Sequence, residues 1–207
     1  MGNLVAGSYV NITGMTSGVT YYFWIASVQN GQESAKSPLV TVRTASITPQ
    51  LDPSMANTYY NWGVEYYAKK EYDRAIAEFS EAIRIDPTYA NAYNRRGWAY
   101  DDKGNYDRAI ADYTEAIRLN PQESTYYNNR GIAYKNKGDY DQAIKDYTEA
   151  IRLNPRYDAA YNNRGSAYYN KGDYDRAIAD YDEAIRINPD RTVYATNRGL
   201  AYRALGR

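Results

Sequence analysis

The chain has 207 residues, no cysteine and no histidine, and its 25 lysines and arginines balance its 25 aspartates and glutamates. The missing cysteines exclude disulfides and thiolate metal sites, and the missing histidines remove the commonest general base and metal ligand. A net charge of zero provides no global field for nucleic acid or an anionic membrane. No apolar run approaches the ~20 residues that a membrane helix needs, and no signal peptide is visible in this chain.

The first fifty residues follow the two-residue period of β-strands. Polar residues alternate with Val10, Ile12 and Gly14 over positions 9–14. YYFWIASV at 21–28 is rich in β-forming residues, and LVTVRT at 39–44 alternates again. Asn30-Gly31 is a turn signal between the last two segments. The pattern predicts about three strands in this region.

The segment from Met15 to Tyr21, followed by Phe23 and Ile25, resembles the corner before the sixth strand of a fibronectin type III domain. The resemblance implies that residues 1–45 are the last three strands of such a β-sandwich, with a linker at 46–55. Because the sandwich normally has seven strands, the sequence is expected to be a piece of a longer protein. By association of modules alone, this points to an exported or cell-envelope protein of a bacterium, although the compartment stays unknown.

The remainder of the chain repeats every 34 residues. The period is shared by two residue types, namely Gly63, Gly97, Gly131, Gly165 and Gly199, and Pro53, Pro87, Pro121, Pro155 and Pro189. Each unit contains two segments with apolar residues at helical spacing. Gly104 is predicted to end a first helix, Asp139 and Asp173 are predicted N-caps, and the residue before each proline is predicted to end a second helix. Lys70 stands where later units have glycine, so that turn should cost up to ~1 kcal/mol more if its φ is positive.

These units resemble tetratricopeptide repeats, which are helix–turn–helix units of 34 residues. Counting from Ala56, the signature places of the family hold Tyr59, Trp62, Gly63, Tyr66, Ala75, Phe79, Ala82 and Pro87. The resemblance covers residues 53–207 and implies units at 56–89, 90–123, 124–157 and 158–191, with a capping helix at 192–207. The expected fold is mainly α: a right-handed α-solenoid of helix-turn-helix repeats, preceded by a short truncated β-sandwich segment.

The seventh place of a unit, usually leucine in this family, is arginine in four units: Arg96, Arg130, Arg164 and Arg198. The twenty-third place is acidic, with Glu78, Asp112, Asp146 and Asp180. Two interpretations stay open. The arginines bury their stems and pair with these carboxylates, or they reach solvent.

The sequence provides no case for an enzyme and predicts no catalytic residue, metal site or cofactor. Aspartate pairs occur at Asp101-Asp102, at Asp139 and Asp141, and at Asp173 and Asp175, but they lack the glycine and the glutamate of a calcium loop. They recur with the repeat, which favours helix capping over general acid–base work. No phosphate loop and no nucleophile motif is present in the sequence.

Asparagines are the main functional lead. In this family the second, fifth, sixth, ninth, twelfth and thirteenth places face a concave groove. The resemblance therefore implies that the groove is lined by Asn61, Asn94, Arg95, Trp98, Asn128, Asn129, Ile132, Asn162, Asn163, Tyr169 and Asn197. A ladder of amides could donate to and accept from an extended peptide backbone, and Asn129 and Asn163 are expected to face water and to contribute little to stability. The alternative is that the asparagines are ordinary neutral residues of the solvent-exposed surface, without a role in binding.

The sequence leaves three hypotheses for the function of the protein. The first is a non-enzymatic protein–protein interaction scaffold that binds an extended peptide segment of an unknown partner. The second is an RNA-binding helical-repeat array, which the zero net charge disfavours. The third is a targeting or regulatory fragment of a larger multidomain enzyme. The expected partner is a protein or peptide, without nucleic acid or membrane insertion, and the oligomeric state is open.

Overall fold

The computed structural model describes residues 20–23, 28–29, 32–33, 40–43 and 54–206. The chain divides into two compact units, Met1–Leu51 and Asp52–Arg207. Each unit is described by itself.

The described part of the first unit consists of short antiparallel strand pairs. The strands are β1 (Thr20–Phe23), β2 (Val28–Gln29), β3 (Gln32–Glu33) and β4 (Val40–Arg43). β1 pairs with β4, with Thr20 opposite Arg43, and β2 pairs with β3, with Gln29 opposite Gln32. The strand predicted at 9–14 and the turn at Asn30-Gly31 lie outside the described residues. Two separate two-stranded pairings do not make two packed sheets, so the predicted β-sandwich is not supported.

Within residues 54–206 the chain forms nine α-helices. They are α1 (Ser54–Ala68), α2 (Tyr72–Ile85), α3 (Ala90–Asp102), α4 (Tyr106–Leu119), α5 (Ser124–Lys137), α6 (Tyr140–Leu153), α7 (Asp158–Asn170), α8 (Tyr174–Ile187) and α9 (Thr192–Ala204). The helices therefore come as four consecutive pairs and a ninth helix, as the repeat pattern predicts.

The helix ends follow the local chemistry of the sequence. Gly104 and Gly138 follow α3 and α5 with φ of 75° and 90°, a left-handed conformation that glycine adopts at little cost. Lys70 occupies the same turn position after α1 with φ of 61°, so the predicted strain is present. The carboxylates of Asp139 and Asp173 accept hydrogen bonds from backbone N–H groups in the first turns of α6 and α8, which confirms both N-caps.

The nine helices form an α-solenoid in which each helix packs on the next along the chain. The odd-numbered helices also contact one another (α1 with α3, α3 with α5, α5 with α7, α7 with α9), whereas no two even-numbered helices within the solenoid make such contacts. The odd-numbered helices therefore lie on the more closely packed, inner side of the stack. We call the surface formed by α1, α3, α5, α7 and α9 the odd-helix face.

The core consists of small residues and aromatic rings at helical spacing. Ala109, Tyr113 and Ala116 of α4 are at most 1% exposed. Gly97 of α3 lies against Tyr113, because a Cβ atom at this glycine would be 2.8 Å from the ring. Glycine is therefore required for the close approach of the two helices.

The seventh-place arginines pair with the carboxylates sixteen residues later. In three units the arginine Nε and Nη2 atoms donate to the two carboxylate oxygens at 2.8–2.9 Å, in the pairs Arg96–Asp112, Arg130–Asp146 and Arg164–Asp180. The third nitrogen, Nη1, donates to Ser80, Thr114 or Thr148 of the preceding even-numbered helix at 3.0–3.1 Å. Each guanidinium thus connects three successive helices, which confirms the buried-pair interpretation. Arg198 makes the equivalent contact to the preceding even-numbered helix, where its Nη1 atom donates to Asp182 of α8.

Candidate functional site

Asparagine side chains on the odd-helix face bond to one another between repeats. Each bond joins the fifth place of one unit to the sixth place of the next, where the sixth-place Nδ2 donates to the fifth-place Oδ1. The bonds are Asn129 to Asn94 at 2.9 Å, Asn163 to Asn128 at 3.0 Å and Asn197 to Asn162 at 2.8 Å. The asparagines therefore form a ladder, but its members pair within the protein.

The exposure of these asparagines differs along the face. Asn94, Asn128 and Asn129 are only 8%, 4% and 5% exposed, whereas Asn162, Asn163 and Asn197 are half-buried and Asn61 is exposed. The expectation that Asn129 faces water is therefore wrong. The reason is that successive odd-numbered helices touch, so a short amide on one helix reaches the amide on the next before it reaches solvent.

Two cavities open on the odd-helix face. The first, about 210 Å³, lies between α1, α3, α5 and the underlying α4, and its lining residues are Tyr67, Trp98, Asp101, Asp102, Tyr113, Asn129 and Ile132. The second, about 230 Å³, is lined by Ser166, Tyr169, Asn170, Tyr181, Asn197 and Leu200. The two cavities bring together five of the residues predicted from the sequence: Trp98, Asn129, Ile132, Tyr169 and Asn197.

The first cavity has an acidic and aromatic lining. The Tyr67 hydroxyl donates to Asp102 Oδ2 at 2.5 Å, and burial, followed by this contact, raises the pKa of Tyr67. Among the described residues, the Asp101 carboxylate accepts only two long contacts, both from Asn136 Nδ2, at 3.3 and 3.4 Å. Burial raises the pKa of Asp101 above its usual value, against the opposing contact with Asn136.

Two basic side chains stand close to this cavity without lining it. The Arg95 guanidinium lies over the Trp98 ring, 4.6 Å from its centroid. Burial lowers the pKa of Lys135, while Asp101 opposes that shift. Among the described residues, neither base makes a salt bridge with Asp101 or Asp102.

The sequence pattern favoured helix capping for Asp101 and Asp102 and indicated no site role for Tyr67 or Tyr113, whereas in the structure all four line the first cavity. The signal that could have found them is a departure from the repeat. The twelfth and thirteenth places hold Asp101-Asp102 in the second unit but Lys135-Asn136 in the third. An acidic pair that only one repeat carries is better explained by a local role than by a shared one.

Other site types are not evident in the part of the chain that the structure describes. No group of three or more acidic side chains is placed to hold a metal ion. None of the described helices combines the length and apolar character that a membrane crossing requires.

The pairing of Asn129 with Asn94 leads to a stability prediction. Asn129→Ala should lower the free energy of unfolding by about 1–3 kcal/mol, because it leaves the buried Asn94 carbonyl without its donor. In a double-mutant cycle with Asn94→Ala, denaturant unfolding should give a coupling of about 1 kcal/mol. The control is Asn61→Ala, at an exposed sixth place, which should change stability by less than ~0.5 kcal/mol. A coupling free energy near zero would show that the hydrogen bond between Asn94 and Asn129 does not contribute to stability.

Solved structures of other proteins share this fold. The crystal structure of MamA protein aligns with a TM-score of 0.68 at 27% identity, over 75% of this chain and 85% of that chain. The first TPR of Spaghetti (RPAP3), bound to HSP90 peptide SRMEEVD, aligns with a TM-score of 0.55 at 27% identity, over 57% of this chain and 94% of that one. The Arabidopsis OM64 TPR domain aligns with a TM-score of 0.54 at 28% identity, over 55% and 94% of the two chains. None of the curated proteins matches the sequence.

Family models match the helical region. Two tetratricopeptide repeat models match residues 90–123 and 128–192, and a TPR repeat model matches residues 63–101. These three matches do not reach residues 1–45, so the fibronectin type III resemblance gains no support from them and stays a prediction. The matches, the helix pairs and the solved relatives agree, and the helical region of this chain belongs to the tetratricopeptide repeat family.

Proposed function

We propose that the chain is an interaction scaffold that binds an extended segment of a protein partner along the odd-helix face. The observation that carries the proposal is the presence of two cavities on this face, each with aromatic and polar lining residues. An extended segment presents side chains at regular intervals, so two separate cavities on one face suit two of its side chains. The solved relative with an HSP90 peptide supports a peptide as the partner class.

The predicted site residues divide into two roles in this proposal. Arg95, Trp98, Ile132, Tyr169 and Asn197 lie in or beside the cavities and contact the bound segment. Asn129 also lines the first cavity, and the other asparagines on the predicted list (Asn61, Asn94, Asn128, Asn162 and Asn163) flank the cavities. The paired members among these hold successive odd-numbered helices in register, so that they maintain the shape of the face.

The paired asparagines also keep unused hydrogen-bonding capacity. In the Asn94–Asn129 pair, the bond uses the Asn94 carbonyl and the Asn129 amide. Among the described residues, the Asn94 Nδ2 and Asn129 Oδ1 atoms make no other side-chain hydrogen bond, and Asn129 lines the first cavity. These two groups match the acceptor and the donor of a peptide backbone unit.

The test is a random-peptide selection on the full chain, followed by fluorescence anisotropy with the labelled peptides. Trp98→Ala combined with Tyr169→Ala removes one aromatic wall from each cavity and should weaken binding about tenfold or more. Arg118→Ala is the matched control, because Arg118 is exposed on an even-numbered helix, where it pairs with Glu115. Failure to select any peptide, or equal affinity of the double variant and the parent, would contradict the proposal.

A further inference from the structure

The first cavity differs from the second in charge. Asp101 and Asp102 of α3 line the first cavity, whereas the second has no charged lining residue. Asp101 is half-buried, and its only hydrogen bonds among the described residues are the long contacts from Asn136. Asp102 uses one carboxylate oxygen for Tyr67, and its other oxygen accepts no hydrogen bond from a described residue. Carboxylate oxygens with spare acceptor capacity are therefore available at the cavity.

A tyrosine whose side chain is almost fully buried also lines this cavity. Tyr113 is 1% exposed and lines the cavity, and no described residue donates to or accepts from its hydroxyl. Burial raises the pKa of Tyr113, and the charges of Asp101, Tyr67 and Asp102, which line the same cavity, raise it further. A hydroxyl that has no partner in the protein, on a side chain that lines a cavity, is available to a polar group of a ligand.

The aromatic walls of the cavity favour a cation. The Tyr67 and Trp98 ring centroids are 6.1 Å apart, so the two rings stand side by side at the site. Trp98 already holds one guanidinium, that of Arg95, over its ring. Indole and phenol rings attract ammonium and guanidinium groups through the negative faces of their π-systems. The combination of such rings with carboxylates suits a basic group better than an acidic or apolar one.

We propose that the cavity lined by Asp101 and Asp102 binds a lysine or arginine side chain of the partner segment. This inference rests on the proposed function, and it adds the chemistry of one anchoring residue. The cavity of about 210 Å³ corresponds to roughly seven water molecules at ~30 Å³ each, which is room for a guanidinium or ammonium group and part of its stem. The cationic head donates to the free oxygens of Asp101 and Asp102 and to the Tyr113 oxygen, while the stem packs on Ile132.

The same groups disfavour an acidic anchor. A carboxylate in this cavity would lie beside two aspartates, and like charges at close range oppose binding. Arg95 and Lys135 reduce this repulsion without removing it, since neither is ion-paired with Asp101 or Asp102. We therefore expect this chain to select segments with a basic residue, in contrast to the peptide SRMEEVD of the solved relative, whose C-terminal part is acidic.

The experiment uses the labelled peptides selected on the full chain, with each basic residue replaced in turn by methionine and by glutamate. We expect one basic position at which methionine weakens binding about tenfold and glutamate weakens it further, as the loss of a charge-assisted hydrogen bond predicts. With Asp101→Asn and Asp102→Asn combined, the parent peptide should lose about tenfold in affinity, and the difference between its basic and methionine versions should largely disappear. Both substitutions keep the size of the side chain, and circular dichroism checks the helical fold.

The control variant removes two negative charges at positions outside the cavities. Asp175→Asn combined with Asp190→Asn changes the net charge by the same amount at exposed positions outside both cavities, and it should leave all affinities unchanged within about twofold. Tyr113→Phe is a second, nearly isosteric variant, and it should weaken the basic peptides about threefold or more without affecting their methionine versions.

The outcomes separate the two proposals. If peptides bind but no basic position matters, or if the double asparagine variant binds them as well as the parent does, the basic-anchor proposal is wrong and the scaffold function stands. If no peptide binds the chain at all, both proposals fail.

Discussion

Arg130→Ala should lower the free energy of unfolding by about 2–4 kcal/mol, towards the upper range for single substitutions. The side chains of Arg130 and Asp146 are only 19% and 9% exposed, and the two bonds between them are 2.8 Å long. Alanine leaves a buried carboxylate without its cation and also removes the donor to Thr114 of the preceding unit. Chemical denaturation of the full chain, followed by circular dichroism, measures the loss.

The pH dependence of this loss identifies its cause. Burial raises the pKa of Asp146, and Arg130 opposes that shift. Without Arg130 the pKa of the folded state should rise further above the unfolded value. A raised carboxyl pKa stabilises the folded state at low pH, and this contribution is lost as the pH rises through the folded pKa. The cost of Arg130→Ala should therefore be smaller near pH ~4 than at pH ~7.

Two further variants test whether the unpaired buried charge causes the loss: one removes both charges of the Arg130–Asp146 pair, and the other removes an exposed arginine. Arg130→Leu with Asp146→Leu removes both charges together, and it should recover most of the stability that Arg130→Ala loses, because no unpaired charge is left. Arg152→Ala removes an exposed arginine that pairs with Glu149 on the helix surface, and it should leave the denaturation midpoint unchanged. If Arg130→Ala has as little effect as Arg152→Ala, the pair is not a stabilising element of the fold.

Gly131→Ala should destabilise the chain by about 1–3 kcal/mol, although alanine is the better helix former. A Cβ atom at Gly131 would lie 2.7 Å from Tyr147 Cε1 and 2.9 Å from Cδ1. Tyr147 has no exposed surface, so its ring has little room to move away. The new methyl group must therefore separate α5 from α6 or displace the ring, and both changes disturb the packing of the unit.

Gly199 provides the matched control for this substitution. It is the equivalent glycine of α9, but apart from its chain neighbours and the backbone of its own helix, no heavy atom of the described chain lies within 4 Å of a Cβ placed there. Gly199→Ala should therefore stabilise the protein by about 0.5–1 kcal/mol through helix propensity alone. Thermal unfolding of the two variants should give shifts of opposite sign. Shifts of the same sign would mean that contact with the ring does not determine the requirement for glycine.

The sequence by itself determined the features that depend on local chemistry and on the repeat period. The turn glycines such as Gly104 and Gly138 and the repeated prolines located the helix ends, because positive φ and the restriction before proline act within one turn. The partners of the arginines were also predictable, since Arg130 and Asp146 occupy fixed places in a single helix–turn–helix unit. A contact within one unit varies little with the curvature of the whole stack.

Only the tertiary structure decided what the asparagines contact and where the acidic cavity lies. Asn94 and Asn129 are 35 residues apart in different units, so their bond depends on how closely α3 and α5 approach. That approach follows from the tilt between successive units, which is set by side-chain packing over the whole interface and not by any short motif. The same tilt brings Tyr67 of α1 to Asp102 of α3. A pattern of residues can indicate which face of a helix is polar, but whether a polar side chain meets water or another side chain depends on the neighbouring helix.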